Sequence, residues 1–110
     1  MNFAITASSR FNRLIKHLQK KYRSMPDDFA KLLAELEANP QAGEPLGRDC
    51  YKVRMSIAAK NKGKSGGARV ITCVKIVGET VYLLTIYDKS EQESISDHER
   101  DDLLRENGLL

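Results

Sequence analysis

Residues 68–87 read ARVITCVKIVGETVYLLTIY, and this stretch decides the fold. Two runs rich in Val, Ile, Thr and Tyr flank Gly78–Glu79. Strand-forming residues on either side of a Gly-containing turn specify a β-hairpin. Just upstream, Tyr51, Val53, Met55 and Ile57 alternate with Lys52, Arg54 and Ser56. A period of two with one apolar and one cationic face is a half-buried strand. The three strands form an antiparallel meander, joined by the Gly- and Lys-rich loop Ala59–Gly67.

Further upstream the period changes. Asn2–Thr6 alternates as a short strand, and Ser8 or Ser9 then caps a helix whose apolar stripe is Phe11, Leu14, Ile15, Leu18 and Tyr22. Arg13, Lys16, Lys20 and Lys21 lie off that stripe. Pro26 suits the first turn of a second helix, Asp27 and Asp28 complement its positive end, and Asn39–Pro40 stops it. Phe29, Leu32, Leu33 and Leu36 are its buried stripe. Gln41–Asp49 reads as a loop. Downstream, Ser96 with Glu99 three residues later is a capping box for a last helix, whose apolar contacts are Leu103 and Leu104 and whose stop is Gly108. So thin a stripe suits packing at a sheet edge or weak docking. The order is β-α-α-β-β-β-α in one α+β domain spanning residues 1–110, with an antiparallel sheet and the helical hairpin on one face.

The 41% hydrophobic and 30% charged content is that of an ordinary globular protein. No apolar run approaches the roughly 20 residues that span a bilayer. The N-terminus lacks the charged and apolar regions of a signal peptide, so a cytoplasmic location is expected. Cys50 and Cys73 have no framework spacing and read as reduced thiols in or near the sheet.

Charge is distributed unevenly. The net +3 divides into +2 over residues 1–47, +7 over residues 48–75 and −6 over residues 76–110. Within 51–70 stand Lys52, Arg54, Lys60, Lys62, Lys64 and Arg69 with no carboxylate among them. Such a cluster repels itself until a polyanion neutralises it, which makes nucleic acid the first partner to consider. Lys52 and Arg54 share one strand face, about 6.5–7 Å apart. Arg69 joins them only if the register turns it the same way. Three converging cations would hold a phosphate and stabilise charge developing on its oxygens.

Other chemistries find less support. The GKS triplet at 63–65 lacks the glycine that a phosphate-binding P-loop requires five residues earlier, and it precedes a strand rather than a helix. His17 and His98 have no partner at a telling spacing and read as surface residues. No metal-ligand cluster and no cofactor motif is present in the sequence. RNA cleavage remains open to such a chain because RNA carries its own nucleophile, the 2′-OH. Tyr87 and Lys89, at the end of the last strand, are the further polar groups expected near the cations.

The segments YKVR, KGKSGGARVI and VYLLTIYDKSE resemble the RelE/ParE superfamily of toxins from type II toxin–antitoxin pairs, and within it the HigB-like branch. The likeness covers residues 48–95, and the upstream elements agree in order and length. It implies a microbial RNase-like fold and ribosome-dependent cleavage of mRNA in the decoding site. The cut would use the 2′-OH, leave a 2′,3′-cyclic phosphate and need no metal ion. A cognate antitoxin protein is the implied partner. By position, Lys52 and Arg54 fall on the family's paired strand cations, Arg69 on its phosphate-binding arginine, and Tyr87 and Lys89 on its strand-end acid/base motif. Lys60, Lys62 and Lys64 are expected to grip RNA. Ser90 stands where RelE has an arginine, and the general base stays open between Tyr87 and Lys89. The alternatives are a ParE-type inhibitor of DNA gyrase and a catalytically silent nucleic-acid-binding module.

Overall fold

The structure, a computed structural model, describes residues 3–110. Asn2, expected to open the first strand, lies outside the described residues. The strands and α-helices follow in order: β1 (Ala4–Ala7), α1 (Ser9–Lys21), α2 (Met25–Ala38), β2 (Glu44–Gly47), β3 (Cys50–Met55), β4 (Ala68–Lys75), β5 (Thr80–Asp88) and α3 (Asp97–Glu106), with two 3-10 turns, Ala58–Lys60 and Lys64–Gly66, between β3 and β4. The sheet order is β1-β5-β4-β3-β2. The expected meander is β3-β4-β5, antiparallel throughout, while β1 adds to β5 in parallel and makes the sheet mixed.

One strand is additional. Within the expected loop, β2 pairs antiparallel with β3, reversing through Arg48 and Asp49, both at positive φ (53° and 63°). Two successive left-handed residues make the type I′ hairpin turn, whose usual sequences are Asn-Gly and Asp-Gly, so Arg-Asp conceals it. Gly43 admits the strand, since a Cβ there would run into the Lys52 carbonyl.

The helix ends form as their residues dictate. Ser8 Oγ accepts from the Phe11 amide at 3.0 Å, opening α1. Ser96 and Glu99 complete the reciprocal capping box of α3. That helix closes with Gly108 at φ +68°, its amide bonding to Arg105 and that of Leu109 to Leu104, the paired bonds of a Schellman stop.

Apolar side chains bury on both sides of the sheet. On one face α1 and α2 bring Phe11, Ile15, Leu18, Met25, Leu32 and Leu36 against Val53, Val70, Leu83 and Ile86. On the other, α3 packs Leu103 and Leu104 onto Cys50, Ile71, Cys73 and Leu84. The last helix therefore lies across the second face rather than at an edge. Its two leucines suffice because Leu46, Tyr82 and Ile95 complete the cluster from elsewhere. Cys50 and Cys73 are free, buried and directly opposite one another on β3 and β4. Contact with Cys73, and then burial, pushes the Cys50 thiol up.

A buried carboxylate ties the two layers together. Asp88, 1% exposed, accepts from Tyr22 Oη at 2.6 Å, Lys60 Nζ at 2.7 Å, and Ser90 through both its amide (2.9 Å) and hydroxyl (2.8 Å). Burial opposes its ionisation, but these donors outweigh that and hold the carboxyl well below its ordinary value. A depressed folded-state pKa stabilises the fold above the unfolded value, near 3.9, and the contribution fades as pH falls through the folded one. Asp88→Asn is expected to cost about 3 kcal/mol near neutral pH, because it strands the nearly buried Lys60 ammonium. Asp88→Asn with Lys60→Met should recover part of that loss. Chemical denaturation from pH 2 to 7 checks both, since the wild-type advantage over Asp88→Asn should shrink below about pH 4.

Candidate nucleic-acid cleft

The register answers the question left by the sequence. Arg54 on β3 stands opposite Arg69 on β4, which stands opposite Tyr87 on β5, so the three form one rung across the sheet. Lys52 lies two residues along β3, opposite Ile71. The Val74 amide bonds to the Asp49 carbonyl, and this phase makes Arg54–Arg69 a non-hydrogen-bonded pair. Such pairs hold their Cα atoms about 4.5 Å apart and their side chains closest. Like charges directly opposed in this way destabilise a sheet.

The two arginines handle that conflict differently. Arg54 is exposed and has no carboxylate at ion-pair distance among the described residues. Arg69 is 3% exposed and turns into the preceding loop. Its Nη1 donates to the carbonyls of Lys64 (2.9 Å) and Ala68 (3.0 Å), and its Nη2 donates to that of Ser65 (3.2 Å). Burial, reinforced by repulsion from Arg54, pulls its guanidinium below the usual value. Arg69 therefore acts first as the clamp of the Gly-Lys loop. The loop also needs Gly67, where an added Cβ would collide with the Met55 carbonyl.

Lys52, Arg54, Lys64, Arg69 and Lys89 line one cleft of about 630 Å³. Three carboxylates share its walls, namely Glu35, Glu44 and Glu93. Glu44 is the register partner of Lys52 on β2 and approaches its Nζ to 3.1 Å, while Ser94 Oγ lies 3.2 Å from the same nitrogen. Glu35 on α2 reaches Lys64 Nζ at 3.2 Å. Glu35 and Glu93 escaped the sequence reading because they arrive from elements remote from the basic stretch, and Glu44 because its strand read as a loop. The sole available signal was β2, whose turn carries no turn-forming pair.

The other expected residues are placed less uniformly. Tyr87 shares the rung, but its ring packs into the α3 cluster and its hydroxyl is buried without a hydrogen-bond partner. Burial pushes this phenol up, partly offset by the nearby Arg69 charge. Among the loop lysines only Lys64 reaches the cleft. Lys62 is exposed, outside the lining. Lys60 turns the opposite way, into its ion pair with Asp88 and over the Tyr22 ring at 5.9 Å. The start of the loop is pinned as well, since Asp28 accepts from the Ala58 amide and Ser24 Oγ from that of Ala59. Among the described residues, no three His, Cys, Asp or Glu side chains gather as they would to hold a metal ion.

A family model described as the RelE toxin of the RelE/RelB toxin–antitoxin system matches residues 10–107. The chain belongs to the RelE toxin family. Solved structures of E. coli RelE share its fold. A double-arginine mutant of that toxin in the free state is 19% identical, with a TM-score of 0.61 over 84% of this chain and 90% of that one. The isolated E. coli RelE toxin is 17% identical, with a TM-score of 0.61 over 94% and 97% of the two chains. The intact E. coli RelBE toxin–antitoxin complex contains a chain 18% identical, with a TM-score of 0.59 over 78% and 95%.

The unequal roles of the paired arginines lead to opposite expectations. Arg69→Lys keeps the charge but loses the forked donors, so it should cost about 1–3 kcal/mol and speed proteolysis at Lys62 and Lys64. Arg54→Gln removes a like-charge contact and should leave thermal stability unchanged or raise it slightly. Melting curves and timed trypsin digestion of the two variants test the difference; equal behaviour would remove the clamp from Arg69.

Proposed function

We propose that this RelE-family toxin is an endoribonuclease that cuts mRNA in the ribosomal decoding site and is neutralised by a cognate antitoxin. The observation that carries this reading is the Arg54–Arg69 rung at the floor of a cleft with Lys52, Lys64 and Lys89. A sheet keeps two opposed arginines at a cost in stability, and a bound phosphodiester relieves it. The family supplies the substrate class, and the E. coli relative assembled with its antitoxin supports the partner.

Cleavage of RNA through its 2′-OH requires three services: a proton acceptor for the nucleophile, charge stabilisation on the phosphorane oxygens, and a proton donor for the leaving 5′-oxygen. Lys52 and Arg54 face the cleft from one strand and serve the developing charge. Arg69 adds its field from beneath and holds Lys64 over the opening. Lys62, beyond the cleft, meets the flanking backbone, whereas Lys60 is committed to Asp88 and takes no part in RNA binding. A tyrosine with a raised pKa keeps its proton at neutral pH, which argues against Tyr87 as the base, and its hydroxyl, buried outside the cleft lining, supports the rung from behind rather than touching substrate. The acceptor is then sought among the cleft's carboxylates. Glu44, held 3.1 Å from Lys52 and largely exposed, places a carboxyl oxygen beside the phosphate-binding cation. Lys89 stands at the cleft's far side as a further phosphate contact.

Cleavage of a defined message on purified 70S ribosomes tests the reading. Lys52→Ala and Arg54→Ala should each lower the single-turnover rate about 10²–10³-fold with the circular dichroism spectrum unchanged. Glu44→Gln should lower that rate while leaving ribosome affinity intact, and the product should end in a 2′,3′-cyclic phosphate. Induction that breaks DNA while mRNA stays whole would replace this reading with gyrase inhibition. Intact nucleic acids and normal growth would mark a silent binding module.

A further inference from the structure

A second cationic surface lies outside the cleft. Helix α1 carries Arg10, Arg13, Lys16, Lys20 and Lys21 and no Asp or Glu. Two of these are answered from elsewhere: Arg10 by Glu106, in a forked pair at 2.8–3.3 Å, and Lys21 by Glu91 at 3.7 Å. Arg13, Lys16 and Lys20 are exposed and have no ion-pair partner among the described residues. They fall at i, i+3 and i+7, one row about 10 Å long on the face opposite the buried Phe11, Ile15 and Leu18. Like charges at this spacing destabilise a helix, and of the three only Lys20, in the last turn, is favoured by the macrodipole. Lys16 is given no local partner at all, and the row as a whole is held together by no ion pair among the described residues.

We propose that this face of α1 is a second contact for RNA, gripping the sugar–phosphate backbone of a structured RNA while the cleft holds the single strand. The inference rests on the ribosome-directed reading above and names the surface that would meet ribosomal RNA. The neighbours of the row are Ser9, Asn12 and His17, hydrogen-bonding groups of the kind that accompany Arg and Lys at phosphates. None of them offers the buried aromatic or aliphatic anchor around which a protein interface forms. The chemistry therefore favours a phosphate backbone over an acidic protein. The face shares no residue with the cleft, so one flexible strand need not visit both. A large folded RNA presents several backbones at once.

The test uses the full chain with Arg13, Lys16 and Lys20 all changed to Gln, beside the wild type. Two probes are bound across a salt series: purified 70S ribosomes and a 20-base-pair RNA duplex. Each lost phosphate contact lowers the salt-dependence slope by about 0.7–0.9, so for three contacts a drop of about 2–3 and an affinity loss of tenfold or more at about 0.15 M salt are expected. Melting temperature serves as the folding control, and because all three side chains are exposed it should not fall. Unchanged affinity and slope for both probes would overturn the proposal. So would loss of antitoxin binding with ribosome affinity intact, which would make the face a protein surface. If the wild type ignores ribosomes yet the variant loses affinity for the duplex, the α1 surface stands and the ribosome-directed reading fails.

Discussion

The site depends on one buried carboxylate. Asp88 ends β5, and its donors come from the C-terminal end of α1, from the loop after β3 and from the turn that follows β5. Each of those segments is irregular and would be mobile without an anchor. A single ionised acid, dry and fully hydrogen-bonded, fixes all three relative to the sheet. Through Lys60 it holds the near end of the Gly-Lys loop, and through Ser90 it starts the segment carrying Lys89 and Glu93 toward the cleft. The far end of the loop is held independently by Arg69. Two charged groups of opposite sign, one at each end, thus give a glycine-rich loop a defined course. Polar atoms buried there are stable only because nearly every donor and acceptor is matched.

The cleft itself is kept slightly out of balance. Glu44 is brought to Lys52 by the β2–β3 hairpin and Glu35 to Lys64 by the tertiary fold, while Arg54 has no such counterpart among the described residues. The protein is therefore stable without a ligand but retains a net positive floor. Exposed pairs of this kind contribute little to stability. They exchange readily for a phosphate, which offers more acceptor oxygens and a fuller charge. Partial neutralisation keeps the basic centre from repelling itself apart. The residual field still draws a polyanion in.

Much of this architecture was legible in the residues because it is local. The hairpin around Gly78–Glu79, the α1 stripe opened by Ser8 and the Ser96–Glu99 capping box all lie within a few positions of one another. What escaped depends on long-range geometry. No local pattern shows whether Arg69 faces Arg54, because a one-residue slip would send it to the other side of the sheet. Lys60 looked like its neighbours Lys62 and Lys64, but its partner lies 28 residues away. Strand β2 was hidden by a turn built from Arg48 and Asp49 in left-handed conformations that other residues adopt more easily. Glu44 was hidden with it. The α3 docking face was missed because two leucines look insufficient until the fold supplies the rest of their cluster.

The contrast between Arg69 and Lys60 shows which buried cation contributes to the surface potential. Both are largely withdrawn from water, yet Lys60 meets an ionised carboxylate and presents almost no net charge at a distance. Arg69 meets only carbonyl dipoles, which satisfy its N–H groups without cancelling its charge. A full charge surrounded by protein rather than solvent is screened less, so its field extends further into the cleft than that of an exposed lysine. Retaining it there is costly, as its lowered proton affinity indicates. A structural clamp alone could be built from a neutral donor. A permanent cation at that depth makes sense if the loop and the phosphate are to be positioned by the same group, so that closing the loop and charging the cleft are one event in folding.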